Sequence, residues 1–90
     1  MPTVHLLIKG KVQGVFYRAT AKDKAAELGI TGWIKNTDDG DVEAMVTGND
    51  EAIKQFTQWC KRGPKNATVT SVISTPQSEI AFNDFLVIRQ

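Results

Sequence analysis

Ninety residues suit one domain, long enough to bury a modest core without covalent staples. Hydrophobic residues make up 41% of the chain and charged residues 23%, an ordinary globular composition that excludes a disordered chain. Eleven Lys and Arg against ten Asp and Glu leave a formal charge of +1, without the basic excess of a nucleic-acid binder.

The single cysteine, Cys60, excludes an internal disulfide, a CxxC redox pair and a multi-cysteine zinc site. Residues 1–10 lack the apolar run and cleavage signature of a secretory peptide. No stretch approaches the ~20 apolar residues that span a bilayer. These features set the expectation of a cytoplasmic protein that needs neither membrane nor nucleic acid.

In chain order, "TVHLLIK" from Thr3 to Lys9 is β-branched and aliphatic, is closed by Gly10, and reads as a central strand. After the loop "GKVQGVFYR", Tyr17, Ala21, Ala25 and Leu28 recur at spacings of four, four and three, the stripe of a helix over residues 16–28. Gly29 stands where a left-handed residue ends such a helix, and Ile30 suits the accompanying apolar contact. "TGWIKNTDDGDVEAMVTG" reads as a hairpin turning at Asp39-Gly40. On its return strand Val42, Ala44 and Val46 alternate with Glu43, Met45 and Thr47. Asn49 or Asp50 is placed to cap a second helix with Ile53, Phe56 and Cys60 on its core side and Gly63-Pro64 at its end. "ATVTSVIST" forms a fourth strand before Pro76, and "FLVIRQ" a short last one over residues 85–90.

The order strand, helix, strand, strand, helix, strand predicts an α+β fold: a ferredoxin-like βαββαβ sandwich with a mostly antiparallel sheet and both helices on one face. The terminal strand is appended to that sheet or continues it. All 90 residues fall into this one domain. Such a fold hosts many functions, so function has to be read from a site.

The loop is the strongest candidate. Gly10 and Gly14 permit backbone angles closed to other residues and a close approach of the main chain to a ligand. Between them the N–H groups are able to turn inward as an anion nest, next to the positive end of the helix that follows. Arg18, in the first helical turn, is able to grip two phosphate oxygens at once. A scaffold turn with a solvated arginine is the competing account of the same residues. Asn36, at the end of the second strand, likewise admits two readings, turn chemistry before Asp38-Asp39-Gly40 or catalysis, and its own residue context favours the turn.

Two stretches, Gly10-Lys11-Val12-Gln13-Gly14-Val15-Phe16-Tyr17-Arg18 and Gly32-Trp33-Ile34-Lys35-Asn36-Thr37-Asp38-Asp39-Gly40-Asp41-Val42-Glu43 running on to Gly48, resemble the two signature segments of the acylphosphatase family, in order and spacing. "WCKRGP", Trp59 to Pro64, resembles the usual end of the family's second helix, whereas the segment after Pro64 departs from its pattern. The resemblance implies hydrolysis of a carboxylic–phosphoric mixed anhydride to a carboxylate and inorganic phosphate. It implies that Arg18 binds the phosphate, that Asn36 holds the attacking water, and that backbone N–H groups of Gln13, Gly14, Val15, Phe16, Tyr17 and Arg18 complete the cradle. No metal or cofactor is implied, and the expected partner is a small acyl phosphate met by a monomer.

The remaining chemistry-bearing residues read as structural. His5 has no second ligand or nucleophile paired with it by motif, and Cys60 reads as a small buried hydrophobe. Asp38, Asp39 and Asp41 lack the twelve-residue calcium pattern. Trp33 and Trp59 read as packing rather than base-stacking residues. The rivals from other classes are an RNA-binding module on the same sandwich and a phosphate-loop domain without turnover.

Overall fold

A computed structural model describes residues 1–89 of the chain. Strand β1 (Thr3–Lys11) is followed by helix α1 (Tyr17–Leu28), strands β2 (Thr31–Asn36) and β3 (Val42–Thr47), helix α2 (Asp50–Arg62), and strands β4 (Thr68–Gln77) and β5 (Phe85–Ile88). The strands make one sheet in the order β4-β1-β3-β2-β5. Its first three ladders are antiparallel and the last, β2 with β5, is parallel. This is the ferredoxin-like α+β sandwich expected, with the terminal strand continuing the sheet. Of the last strand expected, Gln90 lies outside the described residues, and Arg89 follows the strand.

One face of the sheet carries the core. Leu6 and Ile8 of β1, Ile34 of β2, and Val42, Ala44 and Val46 of β3 are fully buried there. The helices meet them with Tyr17, Ala21 and Ala25 of α1 and Phe56 and Cys60 of α2, as expected, joined by Ala52 and Trp59, while Leu28 and Ile53 are partly buried against this core. Trp59 packs against Tyr17 and Phe56, with ring centroids 5.3 and 6.2 Å away. Full burial of a residue such as Phe56 stabilises the fold by about 1.5–3 kcal/mol. The opposite face is open and polar-apolar mixed. There His5 and Lys35 both meet the Glu43 carboxylate, at 2.8 and 3.4 Å, and the Lys35 ammonium lies 5.5 Å from the Trp33 ring centre.

Three expectations shift at element ends and a fourth in burial. β1 runs on through Gly10 to Lys11, past a bulge between Lys9 and Gly10. Gly10 therefore serves the sheet rather than a ligand: a Cβ there would stand 2.1 Å from the Thr68 carbonyl oxygen. α1 begins at Tyr17, because Phe16 is left-handed, with φ 63° and ψ 23°. β4 passes through Pro76 to Gln77, which an edge strand tolerates because its outer N–H row has no ladder partner. β1 is buried on one face only, since His5 and Lys9 lie on the open side with Glu43 and Asp41.

The long return from β4, at one edge, to β5, at the other, is pinned midway. Thr3 and Thr47 share a 2.6 Å hydroxyl hydrogen bond. The Ile80 N–H donates to Thr3 at 2.9 Å, and the Thr47 hydroxyl donates to the Ile80 carbonyl at 2.7 Å.

Candidate active site

Residues 12–16 lead from β1 into α1, and their side chains divide between two environments. Val12, Val15 and, just beyond, Tyr17 are buried, whereas Gly14 and Phe16 face solvent. Tyr17 fixes the exit of the loop by donating its hydroxyl to the Cys60 carbonyl at 2.7 Å. Burial pushes this phenol well above the usual tyrosine range, so it remains a donor. Gln13 fixes the entry: its amide nitrogen donates to the carbonyls of Thr37 and Asp41, at 2.9 and 2.8 Å, tying the loop to the β2–β3 turn. A loop anchored at one end by the buried Tyr17 and at the other by the half-buried Gln13 is preorganised.

Gly14, at φ 73°, takes a left-handed conformation without strain. Phe16 also has a positive φ, at a cost on the order of 1–3 kcal/mol. Among the described residues, no turn or cap hydrogen bond uses the N–H groups of Gln13, Gly14, Val15 or Phe16. Those of Tyr17 and Arg18 belong to the first helical turn, which has no partners within its own helix.

The two helix N-termini differ sharply. α2 has a side-chain cap: the Ala52 N–H donates to the Asn49 side chain at 2.8 Å, and Asp50 and Glu51 stand in the first turn. α1 has no side-chain cap and no acid in its first turn. It carries Arg18 there instead, against the direction its dipole favours. An anion bound at this end would complement both the dipole and the arginine.

Arg18 is half-buried and its Nη1 donates to the Ile88 carbonyl at 3.1 Å. Among the described residues no carboxylate pairs with it. Asn36, the last residue of β2, contributes a buried side-chain oxygen that has no hydrogen-bond partner. The turn beyond it is organised by Thr37, whose hydroxyl accepts from the Asp41 N–H at 3.1 Å and whose N–H donates to the Asp41 carbonyl at 2.9 Å. Asn36 is thus not engaged in turn chemistry.

Arg18 and Asn36 open onto one cleft of about 430 Å³, with Gly14, Phe16 and Val87 also on its wall. An adjoining hollow of about 380 Å³ is bounded by the same two residues with Ile88 and Arg89. Of the site residues expected from sequence, Gly14, Phe16, Tyr17, Arg18 and Asn36 line this cleft, while Gln13 and Val15 brace its loop from behind. The hydrogen-bond acceptor that positions Arg18, the Ile88 carbonyl, is absent from the sequence reading, as is Arg89 at the rim. Nothing local marks either residue. They arrive through the parallel ladder in which Ile88 pairs with Lys35, next to Asn36.

No three His, Cys, Asp or Glu side chains gather as a metal set among the described residues. Cys60 is buried and its thiol is pushed up to about 12 by desolvation, which removes it as a nucleophile. A more open hollow over the helices has Lys24, Lys54 and Arg62 on its wall, together with Glu51. It has no equivalent of the uncapped N–H array.

The acylphosphatase family model matches residues 4–87. An acylphosphatase of Methylococcus capsulatus is 44% identical over 99% of this chain and 98% of its own. Among solved structures, an acylphosphatase from Coxiella burnetii is similar with a TM-score of 0.93 at 39% identity, covering 97% of this chain and 92% of that one. One from Bacillus subtilis reaches 0.95 at 29% identity, covering 99% and 100%. Sequence and fold agree over nearly the whole length, and the chain belongs to the acylphosphatase family, hydrolases that act on acid anhydrides.

Proposed function

We propose that the protein hydrolyses the carboxyl–phosphate bond of acyl phosphates without a metal. In this reading the phosphoryl group sits on the N–H groups of Gln13 to Arg18, the Arg18 guanidinium takes two of its oxygens, and Asn36 holds the attacking water. The observation that carries the reading is the placement of Asn36, whose buried side-chain oxygen has no hydrogen-bond partner, on the wall of the cleft it shares with Arg18 at an uncapped helix end. A buried polar atom without a partner is costly in a folded protein. A water held for reaction supplies that partner.

The chemistry requires little more. The water oxygen bonds to phosphorus as the bond from phosphorus to the bridging oxygen breaks, and the electron pair leaves with the carboxylate. That carboxylate has a conjugate acid of pKa ~4, so it departs unprotonated and no general acid is needed. One proton of the water stays on the new P–OH. The other passes to a phosphate oxygen, giving carboxylate and dihydrogen phosphate. The transition state is loose, with charge on three equatorial oxygens, and positioned N–H donors with an arginine stabilise that charge.

An acyl phosphate is the only partner this reading requires. We infer a cytoplasmic monomer that acts free of nucleic acid and membrane. The near-neutral charge supports the lack of a nucleic-acid partner.

The test is hydrolysis of benzoyl phosphate in excess EDTA, followed by ultraviolet absorbance. Turnover is expected to persist in EDTA and to fall by on the order of 10³-fold or more in Arg18→Ala. Folded wild-type protein that leaves benzoyl phosphate intact would reduce the loop to a phosphate-binding element.

A further inference from the structure

We propose that Phe16 forms the acyl-group contact of this site and gives it a preference for substrates with an aromatic acyl group. The proposal rests on the acyl-phosphate reading and adds a substrate class to it.

Two independent features of Phe16 are unfavourable in the free chain. Its ring is 80% exposed, the most exposed large hydrophobic side chain among the described residues. Its backbone is the one non-glycine among them with a positive φ. A glycine would adopt those angles freely. No described aromatic ring stacks on Phe16, and it joins neither the core nor its packed margin. The chain therefore holds a strained, solvated phenyl ring at one point, and backbone outliers of this kind cluster at ligand sites.

Its position supplies the ligand. Phe16 lines the cleft that holds Arg18 and Asn36, and the apolar Ala19 and Val87 are also on its wall. A phosphoryl group on the loop N–H groups occupies the polar end of this cleft. The acyl carbon is one bond beyond the bridging oxygen, so the acyl group has to leave the cradle past the rim. At that rim an aromatic acyl group meets Phe16, recovers the exposed apolar area and pairs ring with ring. An acetyl group is too small to do either. The left-handed conformation points the side chain away from the core that buries its neighbours Val15 and Tyr17.

The experiment compares kcat/KM for benzoyl phosphate and acetyl phosphate in the wild type, Phe16→Gly and Phe16→Ala, with Ki for inorganic phosphate measured in each. Both variants keep the backbone N–H. Glycine also relieves the strain whereas alanine keeps it, so the pair separates the ring from the backbone. The benzoyl-to-acetyl ratio is expected to fall about threefold to tenfold in both variants, the range an aromatic pair contributes, and to do so through KM. A ratio that stays at its wild-type value, or one that falls only in Phe16→Gly, would overturn the proposal. Parallel loss on both substrates with a raised phosphate Ki would also overturn it, assigning Phe16 to the shape of the cradle. Wild-type protein that binds phosphate but cleaves neither substrate is a different failure, that of the acyl-phosphate reading itself.

Discussion

Asn36 and Thr37 are chain neighbours with separate tasks. Thr37 closes the β2–β3 turn through its hydroxyl and its N–H, and the Asn36 side-chain oxygen is left without a protein partner. Replacing Asn36 by alanine should therefore split activity from stability. Turnover is expected to drop by on the order of 10²-fold, as for a lost orienting group in the transition state. The thermal midpoint should hold or rise, because the variant deletes an unsatisfied buried acceptor. A variant that melts early but keeps its turnover would return Asn36 to turn chemistry. At Cys60 burial makes a different prediction. With its thiol pushed up to about 12, the folded protein should leave a disulfide reagent such as dithionitrobenzoate unreacted at pH 8, and react once unfolded in denaturant.

The two helices show how far local rules carry. α2 obeys them all: an Asn49 cap, acids first, Lys61 and Arg62 last, and an apolar stripe on one side. Asn49→Ala should cost about 1 kcal/mol of folding free energy, measured by urea titration, with turnover preserved. α1 breaks the same rules at its N-terminus, with no cap, no acid and an arginine in the first turn. Its core stripe and its glycine stop were legible in the sequence, and so was the anomaly at Arg18, because each is set by residues within a turn or two. The left-handed start at Phe16 was not, since phenylalanine gives no local reason to leave the right-handed region. The continuation of β1 through Gly10 was equally hidden, because glycine normally weakens a strand and the need for it arises from β4, some 60 residues along the chain. The Ile88 carbonyl that holds Arg18 depends on a parallel pairing between chain segments about 50 residues apart, which no local pattern encodes.

At the scale of the molecule, the site is assembled by segments that meet only because the sheet closes in one register. The Thr3–Thr47–Ile80 hydroxyl cluster stands midway along the path from β4 to β5 and so helps deliver Ile88 to Arg18. The open sheet face carries the pH dependence. His5, hydrogen-bonded to Glu43, holds that carboxyl below its ordinary value of 4.5, and Lys35 adds to the effect. A carboxyl depressed by folding stabilises the protein above its unfolded pKa, and that stability is lost as pH falls through the folded value. Glu43→Gln should therefore be less stable than wild type at pH 7, and the gap should close as the pH drops below about 4. Chemical denaturation across pH 3–7 reads it directly, and a constant gap would assign Glu43 a packing role instead.

The sheet also has a margin that its chemistry does not use. Across its ten residues β4 carries no charged side chain, and most of it is solvent-exposed at the outer edge. Among the described residues no further strand takes up the outward N–H and C=O groups of β4, and Pro76 removes one donor near the far end. Such an edge is a template for a strand from another molecule, so the lifetime of concentrated protein is set here rather than at the core. A single lysine placed by Thr70→Lys should lengthen that lifetime, seen as a later onset of light scattering, while hydrolysis proceeds at its usual rate.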